Sequence, residues 1–157
     1  MNDQSRIREL LLEQLTGRNA HVDFQKAVEN LSMSDLGKKP EHFPHTIWEL
    51  IEHIRIAQHD IVAFSKDPDY ESPNWPEGYW PESDKPDSMD EWQDSLEAIE
   101  KDHKEMEKLV KDKANDLLIP LKHGDGQTLF REAMLIVDHN AYHIGQIVQM
   151  RRVMDIW

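Results

Sequence analysis

Apolar residues recur at intervals of three and four along four segments of the sequence, and no segment alternates apolar and polar residues with a period of two. The first spacing places apolar side chains on one face of an α-helix, whereas alternation is typical of a half-buried β-strand. The sequence therefore predicts an all-α fold. Four amphipathic helices that share one core form a four-helix bundle, and we expect a single such domain over residues 1–157.

Capping and turn-forming residues indicate where these helices begin and end. In the second and third helices, a Thr or Ser precedes a glutamate by three residues, which is the pattern of a capping box. In the first, a Thr-Gly pair interrupts the apolar face, so that segment is either one kinked helix or two. The predicted helices are 5–31, interrupted at Thr16 and Gly17, a helix from Thr46, a helix from Ser88 to about Asn115, and 128–154.

A long segment rich in proline and aromatic residues, 66–88, connects the second and third predicted helices. Connections in helix bundles usually have about 2–8 residues, so this length needs an explanation. The segment is too apolar for a solvated linker, because it contains Tyr70, Trp75, Tyr79 and Trp80. We expect it to be ordered, with these side chains either closing an open end of the core or forming a wall or lid of a pocket.

Charge and composition exclude several classes of function. The formal net charge of −13 argues against nucleic-acid binding, which depends on clustered Lys and Arg. No apolar run approaches the roughly 20 residues that span a bilayer, and the N-terminus lacks the pattern of a signal peptide, so we expect a cytoplasmic protein without a membrane partner. Because the chain has no cysteine, any metal must be held by imidazole or oxygen ligands.

His139 and His143 lie one turn apart in the last predicted helix, on an arc that is otherwise mainly apolar. Burying both imidazoles leaves four ring nitrogens in need of partners, at about 1–3 kcal/mol for each unsatisfied group. A metal ion satisfies one nitrogen of each ring and leaves the other for a hydrogen bond. A third ligand is then expected from another helix, and His53 is the best candidate. The alternative is that these are core histidines.

Other polar residues share the same arcs or apolar stripes. Gln146 and Glu132 are candidates for hydrogen-bond partners of the ligands or for the lining of a pocket, as are His103 and His21, although satisfied core histidines are the alternative for the last two. Glu49 and Asp60 are interpreted as groups of the helix surface. No function is expected for the remaining histidines, which are His42, His45, His59 and His123.

Four motifs carry a resemblance to a known family. In chain order they are PHTIWELIEHI (44–54), YWP (79–81) within a loop rich in Trp and Pro, HGDGQTL (123–129) and DHNAYHIGQI (138–147). The chain resembles the DinB/YfiT-like superfamily over nearly its whole length, roughly residues 5–157. The resemblance implies a four-helix bundle with a divalent metal ion, often zinc or nickel. It also implies that His53, His139 and His143 hold this ion.

The resemblance leaves the activity open among three hypotheses. Some relatives transfer low-molecular-weight thiols such as bacillithiol or mycothiol, which implies here a metal that activates an external thiol toward an electrophilic small molecule. Others are described as metal-dependent hydrolases, in which the metal activates water. In the third hypothesis the protein binds a metal or ligand without turnover. A second apolar arc on the last helix, with RRVMDIW at the C-terminus, either faces a homodimer partner or is buried within the chain.

Overall fold

The computed structural model of the chain describes residues 3–17 and 20–157, and within these ranges it is helical without a β-strand. The prediction of an all-α fold is confirmed. A one-turn 3-10 helix, Glu77–Tyr79, lies in the 66–88 segment. The α-helices are α1 (Asp3–Leu15), α2 (Phe24–Val28), α3 (Met33–Leu36), α4 (Ile47–Lys66), α5 (Met89–Lys111) and α6 (Leu129–Val153).

The first predicted helix, 5–31, is interrupted at Thr16 and Gly17 as expected, but the prediction is wrong for the part that follows. α1 ends at Leu15, and Gly17 has a φ of +81°, a conformation that an L side chain rarely adopts. Two short helices then follow, because the side chains of Asp23 and Ser32 each accept a hydrogen bond from a backbone N–H three residues later. Residues 18 and 19, which the predicted helix also included, lie outside the described residues.

The predicted start of α4 is reproduced in detail. Thr46 Oγ1 accepts from the backbone N–H of Glu49 at 3.1 Å, and the Glu49 carboxylate accepts from the N–H of Thr46 at 2.7 Å. At α5 only half of the box forms. Ser88 caps the N–H of Glu91, but the Glu91 carboxylate accepts from Asp87 instead. α5 ends at Lys111, short of the predicted Asn115.

The core consists of two apolar clusters along the long helices. One joins residues 47–54 of α4 to residues 144–154 of α6, with contributions from α2, α3 and α5. The other joins α1 to Ile61 and Val62 of α4, the second half of α5 and the first half of α6. α4 and α6 therefore run in opposite directions. Where the clusters meet, both helices carry polar side chains, among them His53 on α4 and His139 and His143 on α6.

The second apolar arc of α6 is packed within the chain. Its members Ala133, Ile144 and Val148 are buried, and each belongs to one of the two core clusters. These members are buried within the chain, whereas Val153 and Trp157 of the C-terminal segment are exposed, and the association of two chains stays a prediction. None of the helices in the described ranges combines the length and the hydropathy that crossing a bilayer requires.

Candidate metal centre

His53 of α4 meets His139 and His143 of α6 in the polar layer between the two clusters. One ring nitrogen from each residue lies within 4.8 Å of the others, an arrangement that can hold a metal ion. The Nε2 atoms of His53 and His139 are 3.0 Å apart. The side chains of His53 and His143 are buried, and His139 is half-buried. The structure therefore brings together the three histidines that the sequence singled out.

Local helix geometry explains part of this arrangement. Residues four apart on a helix point to the same side, so His139 and His143 form a pair whatever the rest of the fold. His53 joins them because α4 packs against α6 in the opposite direction. That packing is set by apolar residues on both sides of the polar layer, such as Ile54 and Ile147 in one cluster and Val62 and Ile136 in the other.

Hydrogen bonds fix the orientation of two of the imidazoles. The Nδ1 atom of His53 lies 2.8 Å from the backbone oxygen of Tyr79, and Nδ1 of His143 lies 2.7 Å from Oε1 of Gln146. Both partners are oxygens that accept, so both Nδ1 atoms carry the proton and donate. Nε2 of each ring is left as a lone pair that can bind a metal. In a metal-binding histidine, the ring nitrogen that does not contact the metal, here called the outer nitrogen, usually donates a hydrogen bond to such an acceptor.

The electrostatics of the centre favour neutral imidazoles. Burial, followed by the proximity of His143 and His53, lowers the pKa of His139 from 6.5 to about 4. Burial also lowers the pKa of His143 to about 4, against the opposing effect of its bond to Gln146. The pKa of His53 is lowered for the same main reason. Metal ligation requires the unprotonated ring, so the folded chain holds these residues in the form that binds.

The 66–88 segment forms one side of the centre. The indole of Trp80 stacks on His53, with ring centroids 4.1 Å apart and planes inclined by 4°. It also stacks on His45 at 4.0 Å. Nδ1 of His45 is buried without a hydrogen-bond partner among the described residues, and the Glu49 carboxylate is 3.9 Å away. His45 thus lies beside the centre, whereas its position just before the helix cap had suggested no function.

A second group that sequence reasoning missed connects three helices next to the centre. Gln58, which is 1% exposed, donates from Nε2 to the backbone oxygen of Ile99 in α5 at 2.6 Å. Its Oε1 accepts from Nδ2 of Asn140 in α6 at 2.8 Å. Asn140 follows His139 directly, so this bridge fixes α6 next to the histidine pair. A glutamine within an apolar helix face was its only signal in the sequence.

The other predicted candidates lie elsewhere. The buried carboxylate of Glu132 accepts from Arg131 at 2.6 Å. Oδ2 of Asp60 accepts a hydrogen bond from the hydroxyl of Tyr79. His21 and His103 line a separate cavity of about 460 Å³ between α5, α6 and the end of α1, and none of the three central histidines lines it. His103 bonds there to the backbone oxygen of Leu15.

The donor set fits a divalent metal ion. A tetrahedral ion with metal–nitrogen bonds of about 2.0–2.1 Å has ligand nitrogens about 3.3 Å apart. The Nε2 atoms of His53 and His139 are 3.0 Å apart, and the three candidate nitrogens all lie within 4.8 Å of one another. Metal binding also requires neutral rings that point at the ion. The lowered pKa values keep the rings neutral, and the hydrogen bonds of the Nδ1 atoms orient His53 and His143. The solvent-facing edge of the site is marked by Tyr142, which is 65% exposed and has its ring centroid 4.9 Å from that of His143.

We expect the metal-free protein to lose stability as the pH falls from about 6.5 to about 4. In this interval the unfolded chain binds protons at these histidines while the folded chain does not, so the free energy of unfolding decreases with falling pH. Each buried imidazole changes the free energy of unfolding by up to about 1.4 kcal/mol per pH unit. The half-buried His139 changes it by less, because solvent screens its charge. Above about pH 7 these residues add no pH dependence.

Urea unfolding of the chelated protein at about pH 7.5, 6 and 5 measures this slope. The His143→Ala variant serves as the comparison, because it retains every carboxylate that also titrates in acid. We expect a smaller slope for the variant than for the wild type. Equal slopes would contradict the assignment of a depressed pKa to His143.

Comparison with known proteins yields one match. The family model of the DinB superfamily matches residues 18–147, which is most of the chain and includes all three histidines of the centre. Neither the curated proteins nor the solved structures contain a significant match.

Proposed function

The chain belongs to the DinB superfamily, and from this membership and its three converging imidazoles we propose that it is a metal-dependent enzyme built on a four-helix bundle. His53, His139 and His143 would hold one divalent ion. Zinc and nickel are the metals we propose, since imidazole suits both. The proposed substrate is a small molecule, and the proposed location is the cytoplasm.

The observation that carries the proposal is the composition of the donor set. Three neutral imidazoles, with no thiolate or carboxylate among them, leave the full charge of the ion uncompensated and leave coordination positions for another molecule. Structural zinc sites are usually closed by four protein ligands. The arrangement at this centre is instead that of a catalytic site.

We propose transfer of an external low-molecular-weight thiol to an electrophile as the reaction. A divalent ion held by the histidines supplies Lewis acidity, which lowers the pKa of a thiol or water molecule that enters the site. In the transfer a sulfur–carbon bond forms, the bond from that carbon to its leaving group breaks with its electron pair, and the thiol proton goes to a base. The chain has no cysteine, so the thiol comes from outside. His45, stacked on Trp80 beside the centre, offers an imidazole for the proton.

The surroundings of the centre also bear on the alternative of hydrolysis. A hydrolase also needs a general acid or base, for which Glu49 and Glu132 are the carboxylate candidates and His45 offers an imidazole. The Glu49 carboxylate accepts from the backbone N–H of Thr46 in the cap of α4, and Glu132 pairs with Arg131. Both are thus engaged by other groups. Hydrolysis, and metal or ligand binding without turnover, are the alternatives that the experiment must separate.

Substrate trials on the zinc- or nickel-loaded protein separate the three functions. With bacillithiol, mycothiol or cysteine as the thiol and monochlorobimane or chlorodinitrobenzene as the electrophile, we expect thiol consumption above the uncatalysed rate. Chelation and the His143→Ala variant should each remove that excess. Hydrolysis of p-nitrophenyl acetate without a thiol would instead support a hydrolase. A metal-loaded protein inactive in both assays would leave binding without turnover.

A further inference from the structure

Tyr79 contacts α4 at two points that are seven residues apart. Its backbone oxygen accepts from Nδ1 of His53 at 2.8 Å, and its hydroxyl donates to Oδ2 of Asp60 at 2.7 Å. Positions seven apart on a helix lie on the same side, two turns from each other. One residue of the 66–88 segment therefore spans the side of α4 that carries the metal ligand.

The neighbouring contacts hold the same part of the segment. Trp80 stacks on His53, and the backbone oxygen of Asp84 accepts from Thr46 Oγ1 at 2.7 Å. The 3-10 turn that ends at Tyr79 contains no fully buried residue, and Tyr79 itself is half-buried, so the turn is not held by core packing alone. Its placement depends on a few specific contacts. Of the contacts that Tyr79 makes with α4, the bond of its hydroxyl to Asp60 lies farther along the helix than the bond to His53.

We propose that Tyr79 is a positioning residue of the metal centre, whose hydroxyl bond to Asp60 holds its backbone oxygen against Nδ1 of His53. This bond keeps the proton of His53 on Nδ1 and its Nε2 lone pair directed at His139. Without the oxygen, a neutral imidazole is free to carry its proton on either nitrogen. A ring protonated on Nε2 cannot bind a metal there. The role for metal binding rests on the proposed function, whereas the control of the tautomer does not.

The hydroxyl is suited to this role over a wide pH range. Burial, with the Asp60 carboxylate beside it, raises the pKa of Tyr79 well above its usual value, so the hydroxyl keeps its proton and donates. A bond to a carboxylate is also stronger than one between neutral groups. Tyr70 interacts with the same carboxylate. A test on Asp60 therefore perturbs two tyrosines, and a test on Tyr79 isolates one.

The test replaces Tyr79 by phenylalanine, which removes the hydroxyl and keeps the ring and the backbone. Ser83→Ala is the matched control, because Ser83 donates to the backbone oxygen of Lys85 within the same segment. Nitrogen-15 NMR of the histidines in the chelated protein gives the tautomer of His53. Titration with Co²⁺ gives the dissociation constant, and the visible absorption of bound Co²⁺ reports the geometry of the ligands.

We expect His53 of the wild type and of Ser83→Ala to be protonated on Nδ1, and that of Tyr79→Phe to be a mixture of tautomers. The dissociation constant for Co²⁺ should rise about tenfold in Tyr79→Phe, as for the loss of other outer hydrogen-bond partners, and the absorption spectrum should change. Asp60→Ala should act in the same direction. Its effect on the Co²⁺ dissociation constant should add little to that of Tyr79→Phe in the double variant.

An unchanged tautomer and an unchanged dissociation constant in Tyr79→Phe would overturn the proposal, as would an equal effect of Ser83→Ala. If Tyr79→Phe fails to fold, the same two measurements on Asp60→Ala decide, with Tyr70→Phe beside it to account for the second tyrosine. A wild type that binds no Co²⁺ would refute the proposed function but not this inference, since the tautomer is measured without metal. The two failures are therefore distinguishable.

Discussion

Replacement of His139 and His143 by alanine is expected to abolish stoichiometric metal binding. The two residues supply two of the three converging ring nitrogens, and His53 alone is a weak ligand. The loss of affinity should exceed the roughly 10–100-fold change that follows removal of an outer hydrogen-bond partner. Metal content per chain, measured by plasma mass spectrometry after incubation with zinc or nickel and dialysis, tests this on tag-free protein.

The matched control for this double variant is His21→Ala with His59→Ala. It removes the same number of imidazoles from exposed positions, so nonspecific binding to surface histidines changes equally. We expect the control to keep one metal ion per chain. If the wild type itself stays empty, or if the double variant at His139 and His143 keeps its metal, the metal centre and both enzymatic functions are refuted.

Chelation of the wild type separates a catalytic ion from a structural one. Apolar clusters lie on both sides of the polar layer and hold α4 against α6 without a metal. We therefore expect the chelated protein to keep its helical circular dichroism and a cooperative unfolding transition while it loses activity. Unfolding upon chelation would instead identify the ion as a structural component.

The Gln58→Leu variant is expected to lower the free energy of unfolding by about 2–3 kcal/mol, through the loss of a buried bridge between three helices. Leucine fills a similar volume but leaves the side-chain amide of Asn140 without its acceptor. It also removes the bond to the backbone oxygen of Ile99. Urea unfolding of the metal-free variant and wild type, with equal slopes in denaturant, measures the difference.

Two further variants show whether the bridge is the cause. Gln149→Leu makes the same chemical change at an exposed position of α6 and should alter stability by less than about 0.5 kcal/mol. Adding Asn140→Leu to Gln58→Leu removes the unpaired donor, so the double variant should recover part of the loss. A Gln58→Leu variant as stable as the wild type would show that water replaces the bridge at little cost.

The features that the sequence predicted correctly are those governed by neighbouring residues. Apolar spacing is a local property, so it predicted the helices that contain His53 and His139, and the cap at Thr46 formed as expected. The prediction was wrong for the part of 5–31 that follows Gly17, where Asp23 and Ser32 cap short helices that apolar spacing does not reveal. Side-chain bonds to the backbone compete there with a continuous helix.

What the sequence by itself determined is the set of helices and the pairing of His139 with His143, since one helical turn places both side chains on the same face. The sequence also named His53 as a third candidate, but only the tertiary structure brought its ring to the pair, stacked Trp80 on His45 and His53, and joined Gln58 to Asn140. The physical reason is that these contacts join residues far apart in the chain. Their geometry follows from how α4, α6 and the 66–88 segment pack together, and local periodicity carries no information about that packing.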